Sequence, residues 1–175
     1  MTHNTLYKGQ EGAFTAAMRK KLNHNTVDIS TLAANKAFTS STTQATLFTT
    51  DTLEAGRTYQ FEMLLATTMT TNGGLNLKFN TADTLTLTSI VYVTEEVLAA
   101  TVAYAVGTTT TMGTSLINNK TAAYIAVKVK GSLVVNVAGT LTISAAQNTS
   151  HADTTTIALG STLRVMCDPV TVDAS

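Results

Sequence analysis

The sequence predicts an all-β fold: an antiparallel β-sandwich, jelly-roll-like, with a short helical arm at its N-terminus. Three observations carry this expectation. Apolar and polar residues alternate with period two over most of the chain, as in strands with one face buried and one face wet. Turn-forming glycines fall between the alternating runs. Thr supplies 37 of the 175 residues, and a branched side chain carrying a hydroxyl suits the solvent face of a pleated strand.

Residues 1–26 read as an arm. Within it, 11–22 has the pattern of an amphipathic helix, with Ala13, Phe14, Ala17, Met18 and Leu22 on one face. Arg19, Lys20 and Lys21 fall in its last turn and complement the negative end of the helix dipole. A helix of about twelve residues is marginal alone and needs a surface to pack on. That surface is either its own sandwich or a neighbouring protein.

Residues 27–167 read as the sandwich. Tyr59, Phe61, Met63 and Leu65 alternate with polar residues, and Leu75, Leu77 and Phe79 do the same. Leu85 and Leu87 lead into 90–93, and Val102, Tyr104 and Val106 alternate with alanines. From Tyr124 to Val137 the odd positions stay apolar through Gly131, which predicts one long strand with a kink or bulge at the glycine. Leu141 and Ile143, then Ile157 and Leu159, then Leu163 and Val165 complete some nine or ten strands. Thr71-Asn72-Gly73-Gly74 predicts a hairpin turn, because Asn and Gly accept positive φ. Ala138-Gly139 and Gly160 separate further runs. Residues 168–175 form a C-terminal extension.

Composition narrows the function. Charged residues are 13% of the chain, against roughly 25% in ordinary soluble domains. Eleven basic and eleven acidic residues cancel. Such a surface favours association, and it lacks the basic patch that a nucleic-acid binder needs. No window approaches the ~20 apolar residues of a membrane helix, and residues 1–5 show no apolar signal core. The zero hides an asymmetry: residues 1–26 carry +3 and the remainder −3.

No catalytic constellation stands out, and no cofactor motif occurs. Glu95 and Glu96 are adjacent, so in a strand they point to opposite faces and cannot flank one bond. His151 and Asp153 share strand parity, but a structural metal site takes about four ligands, and 148–153 reads as a polar loop tip. His3 and His24 belong to the arm or its edge. Cys167 has no activating neighbour in sequence and reads as a small hydrophobe. Asn119-Lys120-Thr121 and Asn148-Thr149-Ser150 match the glycosylation sequon and indicate loops. Tyr59 and Tyr104 lie on apolar strand phases and are expected in the core. Tyr92 and Tyr124 lie on the opposite phase and are expected exposed or interfacial. Glu62 lies on the polar face of its strand, either as an inter-subunit residue partnered by Arg57, Arg164 or Lys128 or as an exposed charge that discourages edge pairing.

Three blocks carry a family resemblance. The first runs Leu53-Glu54-Ala55-Gly56-Arg57-Thr58-Tyr59-Gln60-Phe61-Glu62, with Leu65 following. The second is 124–135, and the third is Ala138-Gly139-Thr140-Leu141 through Gln147, closing on Gly160-Ser161-Thr162-Leu163-Arg164-Val165. Together they span about residues 45–166, and they resemble small bacteriophage virion structural proteins found as head decoration and tail components. The motifs are strand and turn features, not a catalytic signature. The resemblance implies a jelly-roll-like sandwich that commonly trimerises.

The chain has no long shaft, collagen-like repeat or heptads upstream of the sandwich, which favours a head decoration protein over a tail fibre. The expected protein is therefore not an enzyme and uses no cofactor or metal. It is a homotrimer bound to the major capsid protein at the virion's capsid surface, made in the host cytoplasm. Phe14, Met18, Arg19, Lys20 and Lys21 are the expected docking residues, and Glu62, Tyr92, Tyr124 and Lys128 the expected inter-subunit residues. The alternative is a tail or fibre component that binds a host-surface glycan.

Overall fold

The computed structural model describes residues 27–70, 72–81, 85–98, 102–109, 115–119 and 124–168. Residues 1–26, where the arm and its helix are expected, and residues 169–175 lie outside the described residues.

The described chain is all-β and wholly antiparallel. Twelve strands form in order: β1 (Val27–Thr31), β2 (Lys36–Phe38), β3 (Ala45–Thr49), β4 (Thr58–Thr68), β5 (Leu75–Thr81), β6 (Thr86–Leu98), β7 (Val102–Thr109), β8 (Ser115–Asn119), β9 (Tyr124–Val137), β10 (Leu141–Ala146), β11 (Thr155–Ile157) and β12 (Thr162–Cys167). An eight-stranded sheet has the order β1-β12-β4-β9-β6-β7, with β11 joining β4 to β2. A four-stranded sheet has the order β3-β10-β5-β8.

The two sheets meet through side chains that alternation turns inward. Phe61, Met63 and Leu65 of β4 are buried, as are Leu75, Leu77 and Phe79 of β5. Phe79 stands edge-on to Phe61 across the interface, with ring centroids 5.3 Å apart, and to Tyr92 at 6.0 Å. Such edge-to-face pairs add about 0.5–1.5 kcal/mol beyond the area they bury. β10 is buried along its whole length because its outward residues are small and flanked on both sides. Asn80 Nδ2, for instance, donates to Ser144 Oγ at 2.6 Å.

β9 is the single long strand that its unbroken parity predicts. Its pairing with β4 runs from Ala126 to Val134 without a bulge. Gly131 therefore serves a different purpose from a bulge. A Cβ there would come within 2.1 Å of the Val91 carbonyl oxygen and 2.9 Å of Phe61 Cζ. The missing side chain is what lets the Phe61 and Tyr92 strands close on β9.

Three expectations are corrected. Asn72-Gly73-Gly74 does not close a hairpin: β4 and β5 belong to different sheets, so this turn carries the chain across the core. The turn chemistry itself is right, with Gly74 at φ 60, but positive φ reverses a chain without choosing its partner strand. Tyr92 is buried at 8% exposure, not exposed. Register irregularities between Thr86 and Ser89 shift the inward phase of β6 from Leu85 and Leu87 to Ile90, Tyr92 and Thr94. Tyr104 is not a core residue: it is 69% exposed, and Val102 and Val106 point outward with it. The ring of Tyr92 explains this, because a Cβ on Gly107 would lie 2.2 Å from its Cζ. That ring claims the inner phase of β7 for the parity of Gly107.

Candidate functional site

Two regions gather the residues singled out by sequence. The first is the outer face of the eight-stranded sheet. Strand register places Ile29, Arg164, Glu62, Lys130, Val93 and Val106 in one row across it. The neighbouring row holds Leu64, Lys128, Glu95 and Tyr104. Glu62 Oε1 and Lys128 Nζ are 3.5 Å apart, an ion pair within one chain whose members are both partly exposed. Pairs of this kind contribute about 0–1 kcal/mol. Of the three cations proposed for Glu62, Lys128 is the one with an ion-pair contact. Arg57 instead pairs with Glu54 at 3.5 Å.

A shallow depression of about 570 Å³ lies on this face, over the row formed by Phe61, Gly131 and Tyr92. Its rim is Gln60, Glu62, Val91, Val93, Lys130 and Met166. Tyr124 opens β9, and its side chain lies outside the described residues. Phe14, Met18, Arg19, Lys20 and Lys21 also lie outside them.

The second region is a loop cluster at one end of the sheets. Buried Gln147 holds it together. Its Oε1 accepts from the backbone N–H of Ser41 at 3.0 Å and of His151 at 3.3 Å, while its Nε2 donates to the Asp153 carbonyl. His151 and Asp153 do come together, with Nδ1 and Oδ2 3.4 Å apart. The Asp153 backbone N–H donates to His151 Nδ1 at 3.1 Å. The carboxylate also accepts from Thr70 Oγ1 at 2.7 Å and Asn72 Nδ2 at 3.0 Å. Those two hydrogen bonds hold the Asp153 carboxyl below the usual carboxylate range. Its partners are donors rather than further ligands, which describes a loop tie. Among the described residues, no three or more His, Cys, Asp or Glu side chains gather in metal-binding range.

Cys167 packs against the core beside Tyr59. Burial raises its pKa and outweighs the nearby Arg57, so the group stays a thiol near neutral pH. Burial likewise pushes the Tyr59 hydroxyl up.

The first and third blocks of the family resemblance hold turns, and the second lies within β9. Leu53 bridges Gly139 through two backbone hydrogen bonds, of 2.8 and 3.2 Å. Gly56 sits at φ 74, and the Tyr59 hydroxyl accepts the Glu54 N–H at 2.8 Å. At the other end, Gly160 sits at φ 82, and Ser161 Oγ accepts the Ala66 N–H at 3.1 Å. These residues fasten loops to strands.

No protein-family model matches this chain. None of the curated proteins matches it either. Among solved structures it is similar to the VP2 subviral particle of infectious bursal disease virus, at 13% identity and a TM-score of 0.21. That alignment covers 81% of this chain and 40% of the VP2 chain, so this chain spans less than half of VP2. A likeness this slight carries no argument about fold or function. Sequence reasoning missed the loop tie of Gln147, whose partners are scattered along the chain, and the exposed apolar row of β7.

Proposed function

We propose that this chain is a non-enzymatic structural protein of a bacteriophage virion. In this reading it is a head decoration protein that forms a homotrimer and binds the major capsid protein at the capsid surface. The observation that carries the reading is the outer face of the eight-stranded sheet. Ile29, Leu64, Val91, Val102, Tyr104 and Val106 all stand on it, each between 45% and 75% exposed. These exposed apolar side chains are interspersed with Arg164, Glu62, Lys128, Lys130 and Glu95, and together with the charge-poor composition they agree with a protein that functions covered by neighbours.

The strand order supports the jelly-roll part of the reading. β1-β12-β4-β9 against β3-β10-β5-β8 fits an eight-stranded jelly roll made of two Greek keys. β6 and β7 are then a hairpin inserted between β5 and β8 that widens one sheet. The cationic arm supplies the docking element, with Phe14 and Met18 as apolar contacts and Arg19, Lys20 and Lys21 as charged ones. A protein that binds only the assembled shell stabilises it by mass action.

Deleting residues 1–26 tests the docking assignment. The truncated protein is expected to remain a folded oligomer by light scattering and to lose co-sedimentation with capsids. Unchanged co-sedimentation would remove the arm from the interface. Antibody labelling of virions tests the location: label over the head is expected, and label at the tail tip would overturn decoration in favour of a tail component.

A further inference from the structure

β7 is an edge strand of unusual character. It pairs with β6 from Val102 to Thr109 without a register irregularity. Among the described residues no strand pairs its other edge. Edge strands normally carry features that block further pairing, such as shortness, charge, Pro or a bulge. The opposite edges of this sheet have them: β1 is five residues with Asp28, and β2 is three residues with Lys36. β7 is eight residues with no charge and no Pro. The uncharged stretch runs from Val97 to Asn119.

The sequence of this edge also reads the same in both directions. Val102-Ala103-Tyr104-Ala105-Val106 is a palindrome centred on Tyr104. In an antiparallel pair of two copies about that centre, Val102 meets Val106 of the partner subunit, and Tyr104 meets Tyr104 of the partner subunit. Each cross-strand pair is apolar against apolar, and no like charges oppose each other. The outward side chains that would meet are already exposed, Val102 at 45%, Tyr104 at 69% and Val106 at 75%. A two-fold contact requires this kind of self-complementary patch.

We propose that β7 is a homotypic docking strand, which pairs antiparallel with β7 of a second copy about a two-fold axis at Tyr104 and joins two eight-stranded sheets edge to edge. The partner argued for is a second copy, because the palindrome makes this edge its own complement in antiparallel pairing. One strand pair buries less than the roughly 1,600 Å² of a standard stable interface. The contact is therefore weak between free protomers and gains by repetition when many copies are held on one surface. It does not depend on the decoration reading. A trimer built on another surface would be linked to the next trimer through β7.

The test uses the full-length protein with Cys167→Ser as background and single cysteines introduced by Val102→Cys, Tyr104→Cys or Val106→Cys. Directly opposed residues of antiparallel strands lie about 4.5–5.5 Å apart at Cα, within disulfide range. Two copies of residue 102 would instead be about 13 Å apart along the strands. Under mild oxidation Tyr104→Cys is expected to cross-link to itself, and Val102→Cys to cross-link with Val106→Cys in a mixture. Neither Val102→Cys nor Val106→Cys alone should cross-link. Adding Val102→Lys and Val106→Lys to the Tyr104→Cys protein places the introduced lysines opposite one another, and should slow its cross-linking at least tenfold. Val102→Glu with Val106→Lys should restore it. Self-cross-linking of Val102→Cys alone would overturn the antiparallel register. No cross-linking of Tyr104→Cys, or cross-linking indifferent to the lysine pair, would overturn the docking strand. None of these outcomes bears on capsid co-sedimentation, so the two proposals fail separately.

Discussion

Gly131 and Tyr92 are neighbours across a strand pair, and each explains the other. Tyr92 turns inward because irregular pairing in β6 moves its phase by one residue, and Gly131 leaves room for the backbone that carries it. Gly131→Ala brings a methyl against the Val91 carbonyl oxygen, which is backbone and cannot rotate away. Overpacking of this sort costs about 1–3 kcal/mol, so the urea midpoint should fall; an unchanged midpoint would mean that β6 yields. Asp153 gives a pH prediction. Its carboxyl is held low by Thr70 and Asn72, so it contributes stability that is fully present above the unfolded value near pH ~4. That contribution is lost as pH falls through the folded value. Melting temperature measured from about pH 6 to about pH 2 should show Asp153→Asn losing less than the parent over this acid interval. Equal losses would show that the loop tie does not depend on charge. The parity of Phe61, Met63 and Leu65 was legible in the sequence because polar residues occupy the other phase. Tyr104 was misassigned because both phases of β7 are apolar or small, and a period-two pattern then names no face.

At the scale of elements, β4 and β9 were legible, whereas β6 was followed only to Val93 because its irregular pairing changes phase, and the short strands were not legible. β4 and β9 repeat their alternation often enough to establish it. β1, β2, β3 and β8 have three to five residues each, too few for a period to appear. They exist because neighbours pair with them, as β12 does with β1. The loop of residues 148–154 shows the same dependence on distant partners. Gln147 fixes it to Ser41, across the molecule in sequence but adjacent in space. Gln147→Ala removes hydrogen bonds to two backbone N–H groups and one carbonyl, at a cost of about 1–3 kcal/mol for each buried group left unmet. The melting temperature should drop, and limited proteolysis should cut within 148–154 faster than in the parent. A protein equally resistant there would show that Thr70 and Asn72 hold the loop without it.

At the scale of the whole molecule, the decisive facts are the order of the strands and the distribution of charge. The charges of +3 on residues 1–26 and −3 on the remainder are properties of the sequence alone, and the docking reading begins with them. So do the all-β class and the inward phase of the regular strands, because side chains alternate along any strand whatever it pairs with. The same holds for the turns at Gly56, Gly74 and Gly160, where glycine admits the positive φ that the chain adopts. What only the tertiary structure decided is which strands become neighbours. β4 lies between β9 and β12, and the Asn72-Gly73-Gly74 turn crosses from one sheet to the other. Pairing partners are chosen by packing among residues far apart in the chain, and no local period records that choice. The exposed apolar edge of β7 arises in the same way: its palindrome is written in the sequence, but its place at the rim of a sheet is set by β6 and by the ring of Tyr92 against Gly107.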